Sequence, residues 1–140
     1  MEGLVARMEK DDAKARVAFN IARAEQEKLV RANPDDAGAL GVLGLIDAAL
    51  GRREEALREG HRAVELLPVE KDSINGAVMI ACLATIAAWV GDNDLACQEI
   101  VASIGYSSYL SYGELKLMPF WDPLRGDPCF EKIVASLAPR

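Results

Sequence analysis

The stretch that decides the fold is Leu40 to Pro68, LGVLGLIDAALGRREEALREGHRAVELLP. Its first part, about Ala37 to Leu50, is apolar on every side except at Asp47 and contains Gly38, Gly41 and Gly44. A helix without a polar stripe is expected to be covered all round. Three glycines in a helix interior cost about 1 kcal/mol each relative to Ala, so close backbone approach by neighbouring helices is the expected reason for them. Gly51 then supplies a left-handed turn, and Arg52 to Glu55 opens a second helix. That helix has Ala56, Leu57, Gly60, Ala63, Val64 and Leu67 on one side, and Pro68 closes it.

Upstream, residues 12–33 read as a long amphipathic helix with Ala15, Ala18, Phe19, Ala22, Leu29 and Val30 on one face, interrupted by Gln26. Arg23, Glu27 and Arg31 follow at four-residue spacing on the expected outer face. Asn33-Pro34 ends this helix, and Asp35 or Asp36 can cap the next. Downstream, residues 69–76 form a connection. Ala77 to Val90 is a second nearly all-apolar helix, Gly91 a turn, and Asp92 or Asn93 the cap of a helix reaching about Ile104.

Leu43, Gly44, Gly51 and Ala56 thus recur as Leu83, Ala84, Gly91 and Ala96, each 40 positions later. This internal repeat resembles the tetratricopeptide family, whose pattern is W-x2-L-G-x2-Y, then A-x3-F, then P over about 34 residues. Leu40, Leu43, Gly44, Ala56 and Pro68 fall in its register, as do Ile80, Leu83 and Ala96; Leu40 and Ile80 replace the Trp, and Gly60 and Ile100 the second aromatic. An insertion at residues 71–76 accounts for the longer spacing. The first helix fits as the second half of an earlier unit, and Met1 to Lys10 is too short for its partner helix. The chain is therefore expected to begin inside a longer array.

After Gly105, Ser111 and Glu114 have capping-box spacing, Pro119 and Pro123 break the chain around Phe120-Trp121, and Asp127-Pro128 caps a last helix to about Leu137. WDPLRGDP followed by Phe130 resembles the segment that closes tetratricopeptide regions in bacterial multidomain proteins, including some serine/threonine kinases and winged-helix regulators. A basic residue often precedes the Phe there; Cys129 stands here. The expected architecture is one all-α domain over 1–140: a truncated first repeat at 12–33, repeats at 37–68 and 77–104, and a capping tail at 105–140.

Composition agrees with helices. Hydrophobic residues make up 51% and aromatics only 6%, a bias toward Ala and Leu rather than toward strand formers. A formal charge of -6 without any Lys/Arg-rich patch argues against nucleic acid. The most apolar run, Ala77 to Val90, falls short of the roughly 20 residues that cross a bilayer. Three cysteines, Cys82, Cys97 and Cys129, show neither CxxC nor Cys/His spacing, so no disulfide framework or metal site is expected, and the cytoplasm is the expected compartment. They are expected to pack as small hydrophobes.

No catalytic constellation stands out. His61, the only histidine, lies beside Arg62 on the charged side of its helix. Asp47 would cost several kcal/mol, very roughly, if buried unpaired, so a hydrogen bond to an adjoining helix or to an Arg is expected. The resemblance implies a concave groove lined by the first helix of each unit. That places Gly38, Gly41, Val42, Leu45 and Ala49, then Val78, Ala81, Cys82, Thr85 and Trp89, on the binding side. The Lys and Asn residues that clamp acidic C-termini in some relatives are missing there. The expected function is non-catalytic, without cofactor: a protein-protein interaction module that accepts a helix or apolar peptide. Self-association as a homodimer, or packing of a neighbouring domain, is the alternative.

Overall fold

The computed structural model describes residues 2–3, 11–106 and 110–140. Residues 4–10, within the upstream segment read as too short for a partner helix, and 107–109, near the start of the expected tail, lie outside them. The described chain is all-α: α1 (Asp12–Ala32), α2 (Ala37–Ala49), α3 (Arg53–Leu66), α4 (Asn75–Val90), α5 (Asn93–Tyr106), α6 (Tyr112–Leu117), a 3-10 helix (Pro119–Leu124) and α7 (Pro128–Leu137).

The helix starts follow from short acidic or hydroxyl side chains that accept from otherwise unpaired N–H groups. Asp11 accepts from Lys14 N, Asp36 from Ala39 N, Asp92 from Leu95 N and Ser111 from Glu114 N. Asp72 Oδ1 takes the N–H groups of Ile74 and Asn75, so α4 begins at Asn75, ahead of the expected Ala77. The two hairpin turns are the same object. Arg52 N donates to Asp47 O at 2.8 Å and Asp92 N to Ala87 O at 2.9 Å, around Gly51 and Gly91 at φ 78° and 83°. Only a residue tolerant of the left-handed region closes a helix in this way.

Packing is between neighbours: α1 on α2, α2 on α3, α4 on α5, and α4 across both α2 and α3. Small residues set the crossings. A Cβ on Gly44 or Gly60 would come within 2.8 or 2.9 Å of Ile86 Cδ1, so this one methyl of α4 fills the space that two glycines leave. A Cβ on Gly44 would also lie 3.2 Å from Ala56 O, whereas one on Gly38 would meet only its own cap, Asp36, at 3.4 Å. Close approach therefore explains Gly44 and not Gly38.

Two expectations about faces are corrected. Leu29 is 58% exposed, because α1 packs mainly on α2 and buries only a narrow strip at Ala15 and Phe19. And α2 is not covered all round: Gly38 and Val42 are exposed. The tail differs too, since Pro119–Leu124 is a 3-10 helix rather than a break, with Pro119 in its first turn. It buries Trp121 and Leu124 with Leu110, Leu115, Phe130 and Ile133 against the α4–α5 pair. Among the described residues no helix is long and apolar enough to cross a membrane.

Candidate functional site

The bare side of α2 opens into a cavity of about 890 Å³, within the size range of ligand pockets. Gly38, Gly41, Val42 and Leu45 of α2 and Val78, Ala81, Cys82, Thr85 and Trp89 of α4 line it. Nine of the ten residues assigned to the groove from sequence are thus brought together. Ala49 is not among them; it packs with Ala15, Phe19 and Ile46, where α1 crosses the end of α2.

Sequence reasoning missed the two side walls. Phe19, Ala22 and Gln26 of α1 form one, with Glu2 and Gly3 beside them, and Leu110, Phe120 and Trp121 of the tail form the other. Gly3 is in contact with the Phe19 ring, since a Cβ there would lie 2.9 Å from it. Phe120 has a second part to play besides capping: its ring lies 6.3 Å from that of Trp89, and its carbonyl accepts from Trp89 Nε1 at 2.8 Å.

The polar atoms of the lining are largely spent on the protein itself. Gln26 Nε2 donates to Ala39 O at 3.0 Å, Thr85 Oγ1 to Ala81 O at 3.0 Å, and Cys82 Sγ to Gly41 O at 3.4 Å. Burial pushes the Cys82 thiol up to about 12, so it meets the groove as a neutral, weakly polar group. The charged residues along the cavity are Glu2, Glu25 and Glu114, and among the described residues no Lys or Arg lines it. The site is an apolar trough with an acidic lip.

Asp47 lies outside this cavity and is fully buried. Arg23 of α1 donates Nε to its Oδ1 at 2.5 Å, and Arg52 Nε lies 3.6 Å away. Arg23 also meets Glu27 at 2.7 Å, so a residue expected on the outer face turns inward. Glu59 of α3 joins the cluster, and sequence reasoning missed it. Burial first and Asp47 second push its carboxyl up to about 8, and its Oε2 is buried without a donor. A proton held on Glu59 accounts for both facts. The signal was available, because Glu59 stands three positions after Ala56 and four before Ala63, on the inward stripe.

A third cluster joins α5 to the start of α7. Cys97, Asp127 and Cys129 present their Sγ, carboxylate oxygen and Sγ within 4.8 Å of one another. Chain spacing hides this, because the tail must fold back first. Asp127 Oδ1 caps α7 by accepting from Cys129 N and Phe130 N, and Oδ2 accepts from Asn93 Nδ2 at 3.2 Å. Burial first, then Cys129, pushes the Cys97 thiol up to about 12. Cys129 is exposed, which corrects its reading as a packed hydrophobe. The cation near Phe130 comes from elsewhere: Arg125 places its guanidinium 5.4 Å from the ring centre and donates to Leu115 O and Met118 O. His61 is exposed on α3.

The chain matches no protein-family model, no curated protein and no solved structure.

Proposed function

We propose that the chain is a tetratricopeptide-like, non-catalytic interaction module of the cytoplasm, and that its trough holds an apolar helical segment flanked by Lys or Arg. The observation that carries this reading is the trough itself: an apolar lining whose donors are mostly satisfied internally, rimmed by Glu2, Glu25 and Glu114. An apolar surface takes up the hydrophobic face of an amphipathic helix, and an acidic lip favours basic flanks and disfavours acidic ones. The matching turns around Gly51 and Gly91, and the crossing of α4 over the α2–α3 hairpin, support the repeat-array reading. A non-catalytic role is consistent with Asp47, whose carboxylate meets Arg23 and Arg52 and does not line the cavity.

The test is a substitution that changes the trough and leaves the core alone. Val42 is 45% exposed and Val78 half-buried, so Val42→Lys and Val78→Lys should keep the melting temperature while weakening a bound basic amphipathic peptide tenfold or more. Unchanged affinity in both variants would sink the trough as the site. Self-association is favoured by one observation on α1: Val17 and Ile21, one turn apart, are 62% and 65% exposed, and of the two only Ile21 also lines the trough. Light scattering decides it, since a dimer disrupted by Val17→Glu and Ile21→Glu would put the interface on α1, whereas a monomer would exclude that alternative.

A further inference from the structure

We propose that Cys97, Asp127 and Cys129 form a binding site for a thiophilic divalent cation of the zinc class. Two elements build it. Asn93 and Cys97 stand one turn apart on α5, and Asp127 and Cys129 stand two residues apart where α7 begins. The ligand atoms all lie within 4.8 Å of one another, with Cys97 Sγ 3.9 Å from Asp127 Oδ1. Around a tetrahedral zinc, with Zn–S near 2.3 Å and Zn–O near 2.0 Å, such atoms sit about 3.5 to 3.8 Å apart. Small side-chain adjustments therefore close the set, with no movement of a helix required.

The surroundings suit a cation. Asn93 Nδ2 holds Asp127 Oδ2 at 3.2 Å and so fixes the carboxylate plane, the kind of outer support that orients metal ligands. Cys129 is exposed and gives an entry path, while Cys97 is buried and gives a water-poor inner side. Two soft sulfurs with one carboxylate select a zinc-like ion over magnesium or calcium, and three protein ligands leave a fourth position for water. Binding exchanges protons for metal: each thiol gives up its proton to solvent and bonds as thiolate, with no change of oxidation state. The bound ion would tie the capping helix α7 to α5.

The full chain, reduced and stripped with a chelator, is titrated with Cd(II) as a spectroscopic probe and then challenged with Zn(II). The expected result is a thiolate-to-cadmium charge-transfer band that saturates at one ion per chain and is removed by competing Zn(II). Cys129→Ser alters an exposed side chain and should abolish the band. Asp127→Asn keeps a good N-cap residue and should weaken binding, and Cys82→Ser should leave it unchanged. A band that survives Cys129→Ser would overturn the site. So would the absence of a band in reduced protein, and if peroxide then joins Cys97 to Cys129 as a disulfide, the pair is a redox cross-link instead.

Discussion

Arg23 and Asp47 meet at 2.5 Å across 24 positions of sequence, and this pair fastens α1 to α2. Asp47 is fully buried and Arg23 mostly so; without Arg23 the Asp47 carboxylate keeps only the longer contact to Arg52 at 3.6 Å. Loss of one partner of a buried pair costs about 3–5 kcal/mol. Arg23→Met is expected to fall in that range by urea denaturation. The double variant Arg23→Met/Asp47→Leu should recover part of the loss, because no uncompensated carboxylate remains; a double variant worse than the sum of the singles would show that the pair is not the source of the effect.

Glu59 makes stability depend on pH with a definite sign. Its folded carboxyl is pushed up to about 8, above the ordinary value of 4.5, so the folded chain holds a proton that the unfolded chain releases. The contribution is complete below about pH 4.5 and is lost as pH rises through 8. Between these limits the slope reaches at most about 1.4 kcal/mol per pH unit, the value for one proton. Glu59→Gln, neutral at every pH, should flatten the curve between pH 5 and 8 in thermal melts; a parallel curve would contradict the assignment.

The glycines sort by what a methyl group would meet. At Gly76 a Cβ would lie 2.7 Å from Val69 N and 2.9 Å from Pro68 C, both backbone atoms that cannot turn aside. Gly76→Ala should therefore destabilise by more than 2 kcal/mol, roughly the upper part of the range for overpacking. Gly105, in α5, has nothing within 4 Å, so Gly105→Ala should stabilise by about 0.5–1 kcal/mol through helix propensity. Opposite signs in calorimetry would confirm the pair; equal destabilisation would show that the approach near Gly76 is not tight.

Arg125 locks the tail. Its guanidinium donates to Leu115 O at 2.7 Å and Met118 O at 3.3 Å and lies over Phe130. Arg125→Lys keeps the charge but loses the planar fork, so it should cost about 1–2 kcal/mol. Hydrogen exchange should then speed up in α6 and α7 before α2 and α3; uniform acceleration would contradict a local clasp.

Most helix starts and the hairpin turns were legible because they depend on local chemistry: Asp36, Asp92, Ser111 and Asp127 accept the first free N–H groups, and Gly51 and Gly91 take the left-handed turn, whereas the Asp72 cap was read as part of a connection. The residues of the trough floor were placed by the tetratricopeptide resemblance, whereas the polar-free face of α2 alone suggested a helix covered all round. The walls of the trough were not legible, because Phe19 and Phe120 reach it only after α1 and the tail have packed. The same holds for Cys97 with Cys129, whose meeting depends on a fold-back through the 3-10 helix. Glu59 was passed over for another reason: it stands on the inward stripe with Ala56 and Ala63, but an acidic residue on a charged helix reads as solvated unless that position is weighed.

Docking of an apolar helix with basic flanks in the trough between α2 and α4 can be tested with selected peptides. A helical peptide library is selected against the wild-type chain, and the affinities of the recovered peptides are measured for wild type, Val42→Lys and Glu25→Lys/Glu114→Lys. The predicted result is a set of peptides with apolar residues at helical spacing and flanking Lys or Arg. Val42→Lys should weaken them at least tenfold, and the rim variant should weaken them more at low salt than at high salt. Peptides that bind all three proteins equally would show that the trough is not where they dock.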